Sequence, residues 1–156
     1  MSSLVDSTPQ FIEAVYQKMD TNIALVKKRL GRPLTYGEKI LYGHLDNAME
    51  ADLEAGVSYV KTCPDRIALQ DATAQMAILQ FMLAGKDEAA VPVTVHCDHL
   101  IRAERGAEAD LQSARTENRE VYDFLASASQ RYGFGCWLPG AGISIRWCLN
   151  SMDSPA

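Results

Sequence analysis

The chain has 156 residues, enough to bury a real core, and its 47% hydrophobic and 22% charged content is that of an ordinary globular protein, with one domain as the default. A net charge of −5 argues against a protein that tracks nucleic-acid phosphates, and no apolar run approaches the roughly 20 residues of a membrane span. The segment Met1-Ser-Ser-Leu-Val-Asp6 has neither the basic and apolar regions of a secretory signal nor the Arg-rich character of a mitochondrial presequence.

In chain order, Thr8-Pro9 predicts a helix start, with Thr as cap and Pro in the first turn. The apolar spacing runs through Phe11, Ile12, Val15 and Tyr16, breaks near Asp20, and resumes through Ile23, Leu25, Val26 and Leu30. Lys27-Lys-Arg29 before Gly31 reads as a solvated basic helix end that complements the helix dipole. Thr35-Tyr-Gly-Glu38 is a capping box ahead of Lys39-Ile-Leu-Tyr42. A short helix is expected over Ala48–Ala55, stopping at Gly56, and a strand over Val57–Lys61, closed by Cys63-Pro-Asp65.

The stretch Arg66–His99 reads strand, helix, strand. Arg66–Asp71 is a short apolar run that turns polar at its end. Ala72–Ala84 has helical spacing at Met76, Leu79, Phe81 and Leu83 and stops at Gly85, and Val91–Cys97 is rich in β-branched residues. Such a unit is normally parallel and right-handed, and ligands sit beyond the carboxyl ends of its strands. Gln70-Asp71 and Asp98-His99 stand at those two ends. Ala107–Arg131 reads as one long amphipathic helix with Leu111, Val121, Tyr122, Leu125 and Ala128 inward, ended by Tyr132-Gly133. Phe134–Leu138 is a third strand and Pro139–Gly142 a glycine-rich turn. The fold class is therefore α/β: a partial doubly wound parallel sheet preceded by an all-helical segment. Its organisation is that of the front part of something larger.

Asp98-His99 pairs a carboxylate with an imidazole, which suits acid–base work, but neighbours on an extended strand face opposite ways and meet only if the strand bends. The plainer alternative is an Asp capping the next turn beside a partly buried His. Gln70 can orient a carboxylate or hydroxyl without adding charge, or be an ordinary turn residue. Gln75 reads as exposed, His96 as a satisfied core histidine, His44 as a cap on a last helix carbonyl, and Asp71 as a cap on its own helix. Cys63, Cys97, Cys136 and Cys148 show no Cys-x-x-Cys and no zinc spacing, so core packing in a reducing compartment is expected and no metal ligands are assigned.

Together, Arg32-Pro-Leu-Thr35, Tyr42-Gly-His-Leu-Asp46, Pro64-Asp-Arg66, Leu69-Gln-Asp-Ala-Thr-Ala-Gln-Met76, His96-Cys-Asp-His-Leu-Ile101, Glu120-Val-Tyr122 and Pro139-Gly-Ala-Gly-Ile143 are more specific than any one word. In this order and spacing they resemble the amino-terminal part of the mitochondrial-type aconitase family, over roughly residues 22–143. The resemblance implies residues 1–143 as part of an aconitase-like α/β domain (1–56 a helical arm, 57–143 a βαβ core) and 144–156 as a divergent tail. It implies a hydro-lyase that interconverts citrate and isocitrate through cis-aconitate, or dehydrates a related alkylated tricarboxylate, at a [4Fe–4S] cluster. It gives substrate binding to Gln70 and handling of the hydroxyl proton to Asp98 and His99, over the plainer alternatives. The family's cluster cysteines, clamping arginines and serine base have no counterpart here, and Cys63, Cys97, Cys136 and Cys148 do not match the cluster ligands.

From Ser144 the sequence departs from the family's pattern, as an altered reading frame would make it. The expectation is then a chain inactive by itself that needs the remainder of the fold, the alternative being a non-catalytic remnant or weak tricarboxylate-binding module. No nucleic-acid or membrane partner is expected. The resemblance implies a mitochondrial location, with the cytosol as the alternative.

Overall fold

The computed structural model describes residues 8–141, which form two units, 8–65 and 66–141. Gly142, Cys148 and the expected divergent tail lie outside the described residues.

In the first unit, α1 (Pro9–Leu30) and α2 (Tyr36–Gly43) account for all the helix. Thr8 caps α1 by accepting the Phe11 N–H at 3.2 Å, and Gly31 closes it in the left-handed conformation at φ +64°. The expected break near Asp20 does not occur. Met19 and Asn22, half-buried, continue the inward stripe between Val15 and Val26, while Asp20 points to solvent. Asn22 is polar on that stripe because its Nδ2 donates to the carbonyls of Gly43 and Leu45, both at 3.0 Å, at the end of α2. The Thr35–Glu38 capping box is complete. Val26, Leu34, Tyr42, Leu45 and Ala48 make the core of this unit.

Neither element expected over 48–61 forms. Asn47 Oδ1 accepts the N–H groups of Met49 and Glu50, and Arg29 Nη1 takes the Ala48 carbonyl at 2.7 Å. Asn47 thus caps a single turn, and Arg29 occupies the carbonyl with which a helix from Ala48 would continue. Val57 and Ser58 donate back to the Glu54 carbonyl, so this stretch is turned rather than extended. Among the described residues, antiparallel pairing appears as one bridge, Leu45 with Thr62.

The second unit is α/β. Its three strands, β1 (Ile67–Gln70), β2 (Val93–His96) and β3 (Gly135–Trp137), are parallel in the order β1-β2-β3. α3 (Asp71–Leu83) connects the first two. α4 (Ala107–Glu117) and α5 (Arg119–Tyr132) connect the second pair. The single helix expected over Ala107–Arg131 is thus two. At Asn118 the backbone leaves the helix (φ −109°, ψ 22°) and the side chain donates to the Ala114 carbonyl, the competition with backbone bonding that makes Asn a poor helix interior.

The core joins Ala74 and Ile78 of α3, Val95 and Cys97 of β2 and its exit, and Tyr122, Leu125 and Ala128 of α5. The inward face of α3 differs from the expected one. Met76, Leu79 and Leu83 are exposed, Leu83 by 87%, while Phe81 sits edge-on to Tyr132 and Phe134. α3 is apolar nearly all round, so spacing alone does not mark its buried side. Cys63 also departs from the expected core packing: it is exposed and donates to Asp46.

Candidate active site at the carboxyl edge of the sheet

Parallel pairing places Gln70, the last residue of β1, in register with His96, the last of β2. The polar residues that follow both strands therefore emerge at one edge, where a parallel sheet leaves room for a ligand. Gln70 is half-buried and extended (φ −94°, ψ 153°), and its side chain makes no cap bond to α3.

Beyond His96 the strand ends and the chain turns at His99-Leu100. That bend brings two adjacent side chains together: Nδ1 of His99 lies 2.8 Å from Oδ1 of Asp98. A carboxylate can only accept, so Nδ1 carries a proton and donates. The His99 side chain is 43% exposed, so the ring is within reach of a ligand.

Asp71 was expected to cap its own helix, and does more. It is fully buried at the start of α3. Oδ1 accepts the N–H groups of Ala72 at 3.0 Å and His99 at 3.2 Å, and Oδ2 that of Leu100 at 3.4 Å. No local sequence signal connects residue 71 to residues 99 and 100. Asp71, Asp98 and His99 are also the group of donors, among the described residues, whose ligating atoms converge, within 4.8 Å of one another. Both oxygens of Asp71 already accept backbone N–H groups, leaving Asp98 and His99 as the outward pair.

The other candidates are placed as follows. His96 is buried in β2, with Nε2 3.1 Å from Thr94 Oγ1 and its ring stacked on Trp137, and burial lowers its pKa. His44 Nδ1 donates to the Ile40 carbonyl at 2.7 Å, the expected cap. Gln75 is half-buried, with Nε2 3.5 Å from the Asp71 carbonyl. Cys97 and Cys136 face each other in the core. Their hydrogen bond and burial push the Cys97 thiol up, and burial with Asp71 and Cys97 nearby pushes the Tyr122 hydroxyl up to about 12. The Pro139-Gly140 turn is held by Arg115, which donates to the Pro139 carbonyl at 3.0 Å.

Comparison with known proteins gives the same direction throughout. The model of the aconitase family (aconitate hydratase) matches residues 38–148, running past the Ser144 at which the sequence was expected to depart. The chain is 63% identical over 140 residues to the mitochondrial aconitate hydratase of Schizosaccharomyces pombe and 60% identical to that of Saccharomyces cerevisiae. It is 56% identical to the probable mitochondrial aconitate hydratase of Caenorhabditis elegans. Each match covers 90% of this chain and 18% of the relative, so the chain spans under a fifth of the length of these relatives.

Proposed function

The chain belongs to the aconitase family, and on that premise we propose that its sheet edge forms one wall of a tricarboxylate hydro-lyase site. Gln70 holds a substrate carboxylate or hydroxyl through its neutral amide. His99, oriented by Asp98, gives a proton to the departing hydroxyl and takes it back when water returns. The observation that carries this reading is the 2.8 Å contact between Asp98 and His99, at the edge where Gln70 also ends its strand. A carboxylate on Nδ1 fixes the ring and stabilises the imidazolium that forms as Nε2 accepts a proton. Citrate, isocitrate or a related tricarboxylate fits this role. The names of the relatives support a mitochondrial location.

Family membership implies an iron–sulfur cluster, which would act as a Lewis acid toward the hydroxyl. The described thiols do not fit one. The free thiols of Cys97 and Cys136 hydrogen-bond to each other in the core, Cys63 is exposed in the other unit, and no trio of thiols converges among the described residues. That observation favours a second reading for this chain by itself: it binds a tricarboxylate weakly and does not turn it over.

Calorimetric titration of the chain with citrate tests the site. Saturable heat is expected, weakened at least tenfold by Gln70→Ala and by His99→Ala. No heat above background removes the reading. Turnover of citrate after anaerobic iron–sulfur reconstitution would favour catalysis over binding alone.

A further inference from the structure

We propose that Asp71 is the positioning residue of this site: its buried carboxylate clamps the Asp98–His99 turn to the end of β1 and so sets where His99 stands relative to Gln70. The proposal rests on the reading of Gln70, Asp98 and His99 given above.

Fully buried aspartates are rare unless paired. Asp71 is at 0% exposure, and among the described residues no ion pair includes it. Its charge is met by three backbone N–H groups and by the amino end of α3. One of the three, from Ala72, is what any acidic residue in a first turn attracts. The other two come from the exit of β2, 28 and 29 residues away, and no helix cap requires them. They join the two strand exits that carry the candidate site through the backbone N–H groups of the second, so the His99 ring is left to Asp98.

The chemistry calls for aspartate. Two oxygens accept from three donors on two segments. The amide of Asn offers one acceptor, and its NH₂ would meet an N–H head-on. Glu is a methylene longer and would push the turn outward.

Nitrogen-15 NMR on the full chain tests this with Asp71→Asn. The amides of His99 and Leu100 are expected to exchange at least tenfold faster, while those of Ile78 and Leu125 keep their protection. The ring nitrogen shifts of His99 are expected to move from a fixed Nδ1–H tautomer toward a mixture, which a loss of general stability would not produce. A folded Asp71→Asn chain with unchanged exchange and ring shifts overturns the proposal. Should that variant not fold, the unsubstituted chain decides: a through-hydrogen-bond coupling from the His99 amide to the Asp71 carboxylate carbon supports the clamp, and its absence overturns it. Asp98→Asn separates the two claims. If it leaves the ring tautomer unchanged, the Asp98–His99 pair fails as a site, while the amide exchange still reports on the clamp.

Discussion

Asp71 and His99 stand 28 residues apart in sequence, yet the carboxylate of the first accepts the backbone N–H of the second at 3.2 Å. Removing that acceptor leaves donors on α3 and on the exit of β2 unmet at once. Asp71→Ala is expected to destabilise the chain by about 3 kcal/mol, the scale for buried donors losing a charged acceptor. His99→Ala, which removes a half-exposed ring, should cost less than about 1 kcal/mol. Urea midpoints of the two variants compare the effects, and equal midpoints would contradict the structure.

The pair of Asp98 with His99 is about function rather than stability. Both side chains reach solvent, and such a pair contributes only about 0–1 kcal/mol. Asp98→Asn should therefore melt within a few degrees of the unsubstituted chain while weakening citrate binding. A large loss of melting temperature would mean that the pair is structural.

The inward face of α3 can be checked by contrast. Ile78→Ala opens a cavity in the core and should cost about 2–5 kcal/mol, whereas Leu83→Ala, at an exposed position, should stay within about 0.5 kcal/mol. Denaturant midpoints measure both. The reverse order would restore the face expected from spacing.

Asn22 is a donor held against two carbonyls. Asn22→Asp keeps the shape and replaces the donor with a charged acceptor, so both carbonyls lose their partner and meet repulsion. A loss of about 2–3 kcal/mol is expected at neutral pH. The loss should shrink as the pH falls and the new carboxyl is protonated, which urea titrations at pH 7 and pH 3 would read.

Glu38 makes the first unit acid-sensitive. Hydrogen bonds from Arg32 and from the Thr35 N–H hold its carboxyl at about 2, against an ordinary 4.5. A lowered carboxyl contributes stability above its unfolded value and loses it as pH falls toward its folded one. The helical unit should therefore weaken between about pH 4.5 and pH 2, and Glu38→Gln should flatten that slope. Circular dichroism melts across this range give the comparison, and parallel slopes would contradict the assignment.

Caps, turns and strand chemistry were legible because they are local. Thr8-Pro9, the Thr35–Glu38 box, Gly31 and Gly133 act through bonds between residues a few positions apart. The β-branched run at Val93–His96 had one plausible use, and the parallel sheet followed from strands joined through helices. Gln70 and Asp98-His99 were readable as residues at strand ends for the same reason. Several of the misreadings are places where a distant group intervened. Arg29 took the carbonyl that a helix at Ala48 needed. Asn22 filled a polar gap in α1 by bonding to another helix end, and the buried face of α3 was chosen by what packs on it.

Sequence by itself determined the family, the α/β class and the identity of the edge residues, since each rests on residue type and order along the chain. Only the tertiary structure decided that the chain bends after His96 so that Asp98 meets His99, and that Asp71 serves the second strand exit as well as its own helix. The physical reason is that a hydrogen bond needs two groups within about 3 Å: neighbours on an extended strand face apart until the chain bends, and groups as distant along the chain as Asp71 and His99 are brought that close by folding alone.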